Sequence, residues 1–294
     1  MAKLTLRTPW TRQPQVIAGI DPSIGLDGFA WVGSNPSGLV LGNKTIIATS
    51  TNTLNTVGPG GRASYWTDVS SGFTGVVASG TQVLTNPNEF TLLVYAAPTA
   101  EATARYPFSQ KLSGSGNQRI VLGFNAGTSL TSESGSIDIY ARDVSAFSLN
   151  VRATSQIDGN PHCWVISMSR SGGTVFRDGV AQTLATNDNL TGSALYTTSM
   201  AVAIGNLYNE LLSSRFPYPL YLVAGWPRKL PLELQQRLSL QPYSLFAPLS
   251  RTIWVPAAVG GGSPTLLPSG IPSDEAFGSH LISMGLVGLS PTSI

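Results

Sequence analysis

The sequence predicts an all-β fold: a jelly-roll sandwich of two antiparallel sheets with one short helix, plus an extended N-terminal arm and a small C-terminal β tail. Three observations predict it. Gly (31) and Pro (20) are abundant and spread through the 294 residues; apolar residues alternate with polar ones or form short continuous runs; and a single segment carries helical spacing. Gly and Pro are the poorest helix formers, and Val and Thr lose rotamer freedom in a helix, so many short strands joined by turns are the natural solution. A chain of this length removes roughly three quarters of its unfolded surface from water, enough for one large β core.

Residues 1–25 read as an anchoring arm. Lys3, Arg7 and Arg12 precede the first acid, Asp21, and Pro9, Pro14 and Pro22 keep the segment extended. Leu4, Leu6, Trp10, Val16 and Ile17 would cost about 1.5–3 kcal/mol each to leave in water, so the arm is expected to dock, with Lys3, Arg7, Trp10 and Arg12 as its anchoring residues.

Residues 26–250 carry the sandwich. In Phe147-Ser-Leu-Asn-Val-Arg152 and Ser136-Ile-Asp-Ile-Tyr-Ala141 the two-residue period places Phe147, Leu149 and Val151, and likewise Ile137, Ile139 and Ala141, on one face. The continuous runs beginning at Phe90, Arg119, Trp164, Met200 and Leu220 fit central strands covered on both sides. Asp178-Gly179, between two short apolar segments, tolerates the positive φ of a two-residue hairpin. The helical segment starts at Pro231 and stops before Pro242. Leu230, Leu234 and Leu238 form its apolar stripe, while Glu233, Gln236 and Arg237 turn away. About ten residues are marginal alone, so this helix must pack on the sandwich. Residues 251–262, rich in Gly, form a linker, and 263–294 form a small β segment whose Leu266, Leu267, Ile271, Phe277, Leu281, Ile282 and Leu286 need a partner surface for docking or oligomerisation.

Composition narrows the function. Charged residues make up 11% and the formal net charge is +2, without the basic cluster expected of a nucleic-acid binder. Met1 to Arg7 lacks the apolar stretch of a secretory signal, and no run is long enough for a membrane span, so synthesis in a cytoplasm is expected. The one cysteine, Cys163, lies in the apolar run His162-Cys-Trp-Val-Ile and reads as a buried small hydrophobe.

From about Asn88 to Pro248 the order of elements resembles the concanavalin A-like lectin and glucanase superfamily, in its laminin-G and pentraxin-like branch. The pieces are Phe90-Thr-Leu-Leu-Val-Tyr95, the hairpin from Trp164 to Ala181, Ala201-Val-Ala-Ile-Gly205, Leu220 to Leu230, the helix, and Gln241-Pro-Tyr-Ser-Leu-Phe-Ala-Pro248. The segments Arg7 to Gln15, Gln241 to Pro248 and Gly270 to Ser279 resemble tailed-bacteriophage structural proteins that carry such domains. The resemblance implies a virion protein: a capsid decoration, cement or head-fibre subunit that is homo-oligomeric and bound to the major capsid or tail protein. Its alternative is a tail- or head-borne adhesin for host polysaccharide, and a third reading is a glycan hydrolase.

Catalytic material is sparse. The glucanase carboxylate pattern, laid on β residues 136–141, falls on Ser136, Asp138 and Ala141, so two of three acids are missing, and Glu133 would face away from Asp138 on a regular strand. With only His162 and His280, a Ser-His-Asp triad or a His-rich metal site has little to build on, and the expectation is no enzyme. Relatives of the resembled branch bind calcium through clustered Asp and Asn. Asn187-Asp-Asn189 is the densest such set and Asp158-Gly-Asn160 the second, but both also favour turns, so no ligand is assigned and no cofactor is expected. Tyr65, Trp66, Tyr106, Phe108, Tyr196 and Tyr208 fall in expected loops, and Tyr65, Trp66, Tyr106 and Tyr208 are the candidate glycan contacts.

Overall fold

The structure is a computed structural model and describes residues 2–7, 20–21, 23–35, 38–41, 44–47, 49–51, 53–58, 61–66, 75–78, 83–86, 88–111, 119–127, 131–142, 148–169, 171–188, 201–207, 215–246 and 250–255. In chain order these form β1 (Ala2–Arg7), β2 (Phe29–Val32), β3 (Gly38–Leu41), β4 (Lys44–Ile47), β5 (Thr49–Thr51), β6 (Thr53–Gly58), β7 (Gly61–Trp66), β8 (Gly75–Ala78), β9 (Phe90–Ala96) and β10 (Arg105–Lys111). They continue with β11 (Arg119–Ala126), β12 (Ser132–Arg142), β13 (Ser148–Ala153), β14 (His162–Met168), β15 (Thr174–Arg177), β16 (Val180–Ala181), β17 (Thr186–Asn187), β18 (Ala201–Ile204), β19 (Leu220–Trp226), α1 (Leu232–Leu240) and β20 (Ser250–Val255).

Two antiparallel sheets make the sandwich, as the alternation predicts. One runs β16-β15-β14-β9-β19-β2-β3-β4, with β7 meeting β19 and β6 pairing with β7; the other runs β17-β13-β12-β11-β10-β18-β8-β5. Between them lies the main core: Phe29, Trp31, Leu92, Val94, Trp164 and Ile166 from the first sheet meet Phe108, Ile120, Leu122, Phe124, Ile137 and Ile139 from the second. Phe29 stacks on Phe108 with ring centroids 5.6 Å apart, and Phe124 meets Trp164 edge-on at 4.8 Å. These contacts across the sandwich add specific geometry to the burial of large rings.

The continuous apolar runs of β9, β14 and β19 exist because the ten-stranded sheet is covered on its outer face as well. There Ala30, Leu93, Val165, Leu222, Ala224 and Trp226 pack with Leu230, Leu238, Tyr243, Leu245, Ile20 and Ile24. Pro231 stands just before α1 rather than inside it, and Glu233, Gln236 and Arg237 are exposed as the apolar stripe requires. The helix also buries Gln235, which accepts from the Thr174 hydroxyl at 2.7 Å and donates to the Leu230 carbonyl at 2.6 Å. At the β15–β16 turn, Asp178 (φ 48°) and Gly179 (φ 82°) both take the positive φ that the pair was expected to supply.

Two compact units divide the chain: residues 10–247, which hold the sandwich, and residues 1–9 with 248–294. In the second unit β1 and β20 pair antiparallel from Ala2↔Val255 to Arg7↔Ser250. Two expected boundaries therefore move. Ile20 and Ile24 are buried in the sandwich, with an Ile20–Phe246 bridge, so the arm ends before residue 25. Residues 251–255, placed in the linker by their proximity to the Gly-rich run, are strand. Trp10, Arg12 and residues 263–294 lie outside the described residues. Among the described residues no helix is long and apolar enough to cross a membrane.

Candidate functional site: the loop-bearing end and the outer face of the eight-stranded sheet

Strand direction gathers several connections at one end of the sandwich. Ala96, the last residue of β9, pairs with His162, the first of β14, and with Leu220, the first of β19. The described segments 97–104, 154–161, 205–207, 215–219 and the turn at 178–179 therefore lie at the same end.

Asn125 ties the 97–104 segment to Gly135 of β12. It sits in the left-handed region (φ 53°), which Asn tolerates better than most residues, and is fully buried. Its side chain accepts from the N–H of Glu101 (3.2 Å) and of Gly135 (2.9 Å) and donates to the Thr99 carbonyl at 3.0 Å. Beside it Glu101 takes a two-pronged ion pair from Arg105, Nε to Oε1 at 2.7 Å and Nη2 to Oε2 at 3.1 Å, and a hydrogen bond from the Tyr218 hydroxyl. Burial pushes the Glu101 carboxyl up, but the Arg105 and Tyr218 hydrogen bonds, with the charges of Arg105 and Arg215, hold it below the usual range. Burial and the Glu101 carboxylate together push the Tyr218 phenol upward.

A second charged knot joins β14 to the β15–β16 turn. His162 has both ring nitrogens engaged: Nδ1 with Asp178, and Nε2 with both oxygens of Asp158 at 2.9 Å. Arg177 donates to Asp158 at 2.7 Å, and the other oxygen of Asp178 accepts from the Cys163 N–H at 2.9 Å. The slight burial of Asp158 opposes ionisation, but the Asn160 N–H, His162 and Arg177 outweigh it and hold the carboxyl at about 2. The expected oxygen cluster at 158–160 is thus an Asx turn capped by His162 and Arg177, as the N–H of Asn160 to Asp158 (2.9 Å) shows.

The outer face of the eight-stranded sheet departs most from expectation. Ile137, Ile139 and Ala141 of β12 face the core as predicted, yet the alternate residues Ser136, Asp138 and Tyr140 are buried too. Asp138 is 1% exposed, and neither carboxyl oxygen has a hydrogen-bond partner. Burial, with the charge of Asp188 as a smaller cause, pushes its carboxyl up to about 8. Arg152 stands opposite Asp138 in the register but gives its guanidinium to Glu133.

That Glu133 contact corrects the expectation that Glu133 and Asp138 face opposite ways. The strand is not regular: Phe124↔Ile137 and Ala126↔Ser132 leave two steps of β11 facing five of β12, with Gly135 at φ 78°. The bulge brings Glu133 to Arg152, the neighbour of Asp138.

The aromatic candidates are also relocated. Trp66 lies on β7, not in a loop, and is fully buried against Trp31 with centroids 5.9 Å apart. Tyr106, on β10, is 5% exposed and packs with Ala104, Val121, Ala126 and Leu207; Phe108 is a core residue. All three read as loop residues because polar and Gly-rich neighbours mask short strands. Tyr65 is half-buried on β7, and Tyr208 and Tyr196 lie outside the described residues. Lys3 and Arg7 belong to β1. The residues that sequence reasoning missed are Asn125, Glu101, Arg105 and Tyr218, whose one advance signal was an Asn before Ala-Gly at the end of an apolar run.

No family model matches the chain, and no curated protein sequence matches it. Solved structures do. The Trypanosoma rangeli sialidase in complex with 2,3-difluoro-KDN superposes with a TM-score of 0.53 at 14% identity, over 79% of this chain and 37% of that one. The fold is a lectin-like β-sandwich. The Ruminococcus gnavus IT-sialidase CBM40 aligns at 12% identity over 52% of this chain and 83% of its own, with a TM-score of 0.41. The Streptococcus pneumoniae NanB sialidase aligns at 12% identity over 54% and 25%, with a TM-score of 0.42. At such identity the trypanosome enzyme speaks to fold alone, and this chain spans little more than a third of its length. None of these three is a virion protein.

Proposed function

We propose that this chain is a non-enzymatic structural protein of a bacteriophage particle, a capsid decoration or head-fibre subunit that displays its lectin-like sandwich. The observation that carries the reading is the pairing of β1 with β20 in a unit apart from the sandwich. The sandwich closes on itself between Ile20 and Phe246 and needs neither strand for its core. Two terminal strands joined to each other, followed by the apolar 263–294 segment, are suited to attaching the domain to the major capsid or tail protein and to sister copies. The resemblance of Arg7 to Gln15, Gln241 to Pro248 and Gly270 to Ser279 to phage structural proteins gives that attachment its setting, with assembly in the host cytoplasm. The net charge of +2 keeps repulsion between crowded copies small.

Among the described residues, the candidate acids and bases are already engaged or sealed away. His162 has both nitrogens committed to carboxylates, Asp138 is sealed from substrate, and Glu133 is neutralised by Arg152. A hydrolase would need one acid and one base open to a sugar. Incubation with host polysaccharide is expected to release no reducing ends; release that disappears in Asp138→Asn would overturn this part.

A second reading, an adhesin for host polysaccharide, is favoured by the polar rim of the loop-bearing end, where Asp158 and Asp178 are 44% exposed beside His162 and Arg177. Saturable binding on a glycan array that is lost in Arg177→Ala would favour the adhesin; its absence, with rebinding to particles, favours decoration.

A further inference from the structure

Among the described residues six large hydrophobic side chains are exposed, and three of these, each more than half exposed, share one surface outside the ten-stranded sheet: Leu232 and Leu240 on α1, and Val180 on β16. The β15–β16 turn is fastened to the end of α1 that carries Leu240. The Gly179 N–H donates to the Ser239 hydroxyl at 2.9 Å, and its carbonyl accepts from Gln236 Nε2 at 2.8 Å. A Cβ added at Gly179 would lie 3.3 Å from that of Leu240, so Val180, the next residue, extends the apolar end of the helix. Exposed apolar groups gathered at one place mark an interaction surface more often than the same groups scattered singly.

The order of residues along α1 says what fits this surface. The helix turns Gln235, Leu238 and Ser239 inward. Its outward face carries Leu232, Gln236 and Leu240 at intervals of four, with Glu233 and Arg237 along one flank, all of them exposed. This pattern is complementary to itself about a two-fold axis that crosses the helix at Gln236. An antiparallel copy sets Leu240 against Leu232 of the second copy. On the charged flank, a rise of about 1.5 Å per residue brings Glu233 within about 3 Å, along the axis, of Arg237 of the second copy, and symmetry repeats the pair. A parallel copy would put the two charged flanks on opposite sides, where they do not meet.

We propose that two copies of this chain associate through antiparallel α1 helices, with Leu232, Leu240 and Val180 as the apolar contact and Glu233 and Arg237 as the paired charges that fix the direction. The surface belongs to the sandwich and is separate from the β1–β20 pair that the proposed function uses for attachment. It does not depend on attachment to a particle. One helix face and one turn bury less than the roughly 1,200 Å² of a stable complex, so the association is weak in dilute solution and takes hold where copies are crowded.

The test is sedimentation equilibrium of the full chain over a concentration series reaching about millimolar. The dimer fraction should rise with concentration. Glu233→Arg and Arg237→Glu should each weaken association about tenfold, because either change turns two symmetry-related attractions into repulsions. An equimolar mixture of these two variants should regain it, since every Arg on the flank then meets a Glu of the other copy. Leu240→Glu should remove the association. All three substitutions are at exposed positions, and circular dichroism verifies that each variant is folded. A full chain that stays monomeric throughout the series would overturn the proposal. So would association that is indifferent to all three substitutions, which would move the contact to the terminal strands, and so would a mixture no stronger than the single variants.

Discussion

Asp138 should make the protein less stable as pH rises. Its carboxyl is pushed from 3.8 to about 8 in the fold by burial and by Asp188. The sign follows from the proton count. Below the unfolded pKa both states hold the proton, and stability is at its highest with respect to this group. Between 3.8 and about 8 the unfolded chain releases the proton and the folded chain keeps it, so stability falls by about 1.4 kcal/mol per pH unit. Above the folded value the loss levels off. Across the window the loss is on the order of 5 kcal/mol, a large part of the roughly 5–15 kcal/mol that holds a typical domain. Asp138→Asn removes the titration but buries an amide with donors to satisfy, at a cost of about 1–3 kcal/mol. The variant should therefore be no better than the parent near pH 4.5 and more stable by a few kcal/mol at pH 8.5. Urea denaturation of both proteins between pH 4.5 and 9 measures this. Glu101 and Asp158, whose carboxyls are held low, give stability that is lost on acidification, but they are common to both proteins and cancel in the difference. Parallel pH profiles for parent and variant would refute the burial of an unpartnered carboxyl.

Other expectations rest on packing. Gly205→Ala should destabilise by more than about 2 kcal/mol, since Gly205 has φ 85° and an added Cβ would lie 2.3 Å from the Trp66 ring; a small effect in chemical denaturation would contradict that contact. Leu238→Ala empties a fully buried position under α1 and should cost about 2–5 kcal/mol in the same assay, whereas Leu240→Ala, at an exposed position, should cost little. Replacing Asn125 by Ala removes the side chain that holds Thr99, Glu101 and Gly135, and amide hydrogen exchange should quicken in 97–104 and around 135 while the central strands stay protected.

Much of the fold was legible because the sandwich obeys the two-residue period. Ile137, Ile139 and Ala141 fell on the core face, the runs at Phe90, Trp164 and Leu220 became strands covered on both sides, and Asp178-Gly179 turned where its φ values allow. The functional features were less legible for physical reasons. The alternation of β12 marked Ser136, Asp138 and Tyr140 as a solvent face, but burial of an outer face depends on what packs over a sheet, which no local pattern encodes. The bulge at Gly135 shifts Glu133 toward Arg152, and one glycine in a strand signals a bulge without fixing its size. Trp66 and Tyr106 read as loop contacts in the sequence because their strands lie beside Gly and Pro; burial places both against neighbouring rings and strands. The Glu101–Arg105–Tyr218 set joins residues more than a hundred positions apart, a distance only the fold closes.

In the proposed role, the paired unit of β1 and β20 attaches an otherwise self-sufficient sandwich to a phage particle. The most direct test mixes the purified full chain, and a variant lacking residues 1–9 and 248–294, with phage particles that lack this protein, and follows co-sedimentation. The full chain is expected to sediment with the particles and protect them against heat, while the shortened chain stays in the supernatant as a folded sandwich. Equal binding of both chains, or binding of neither, would contradict it.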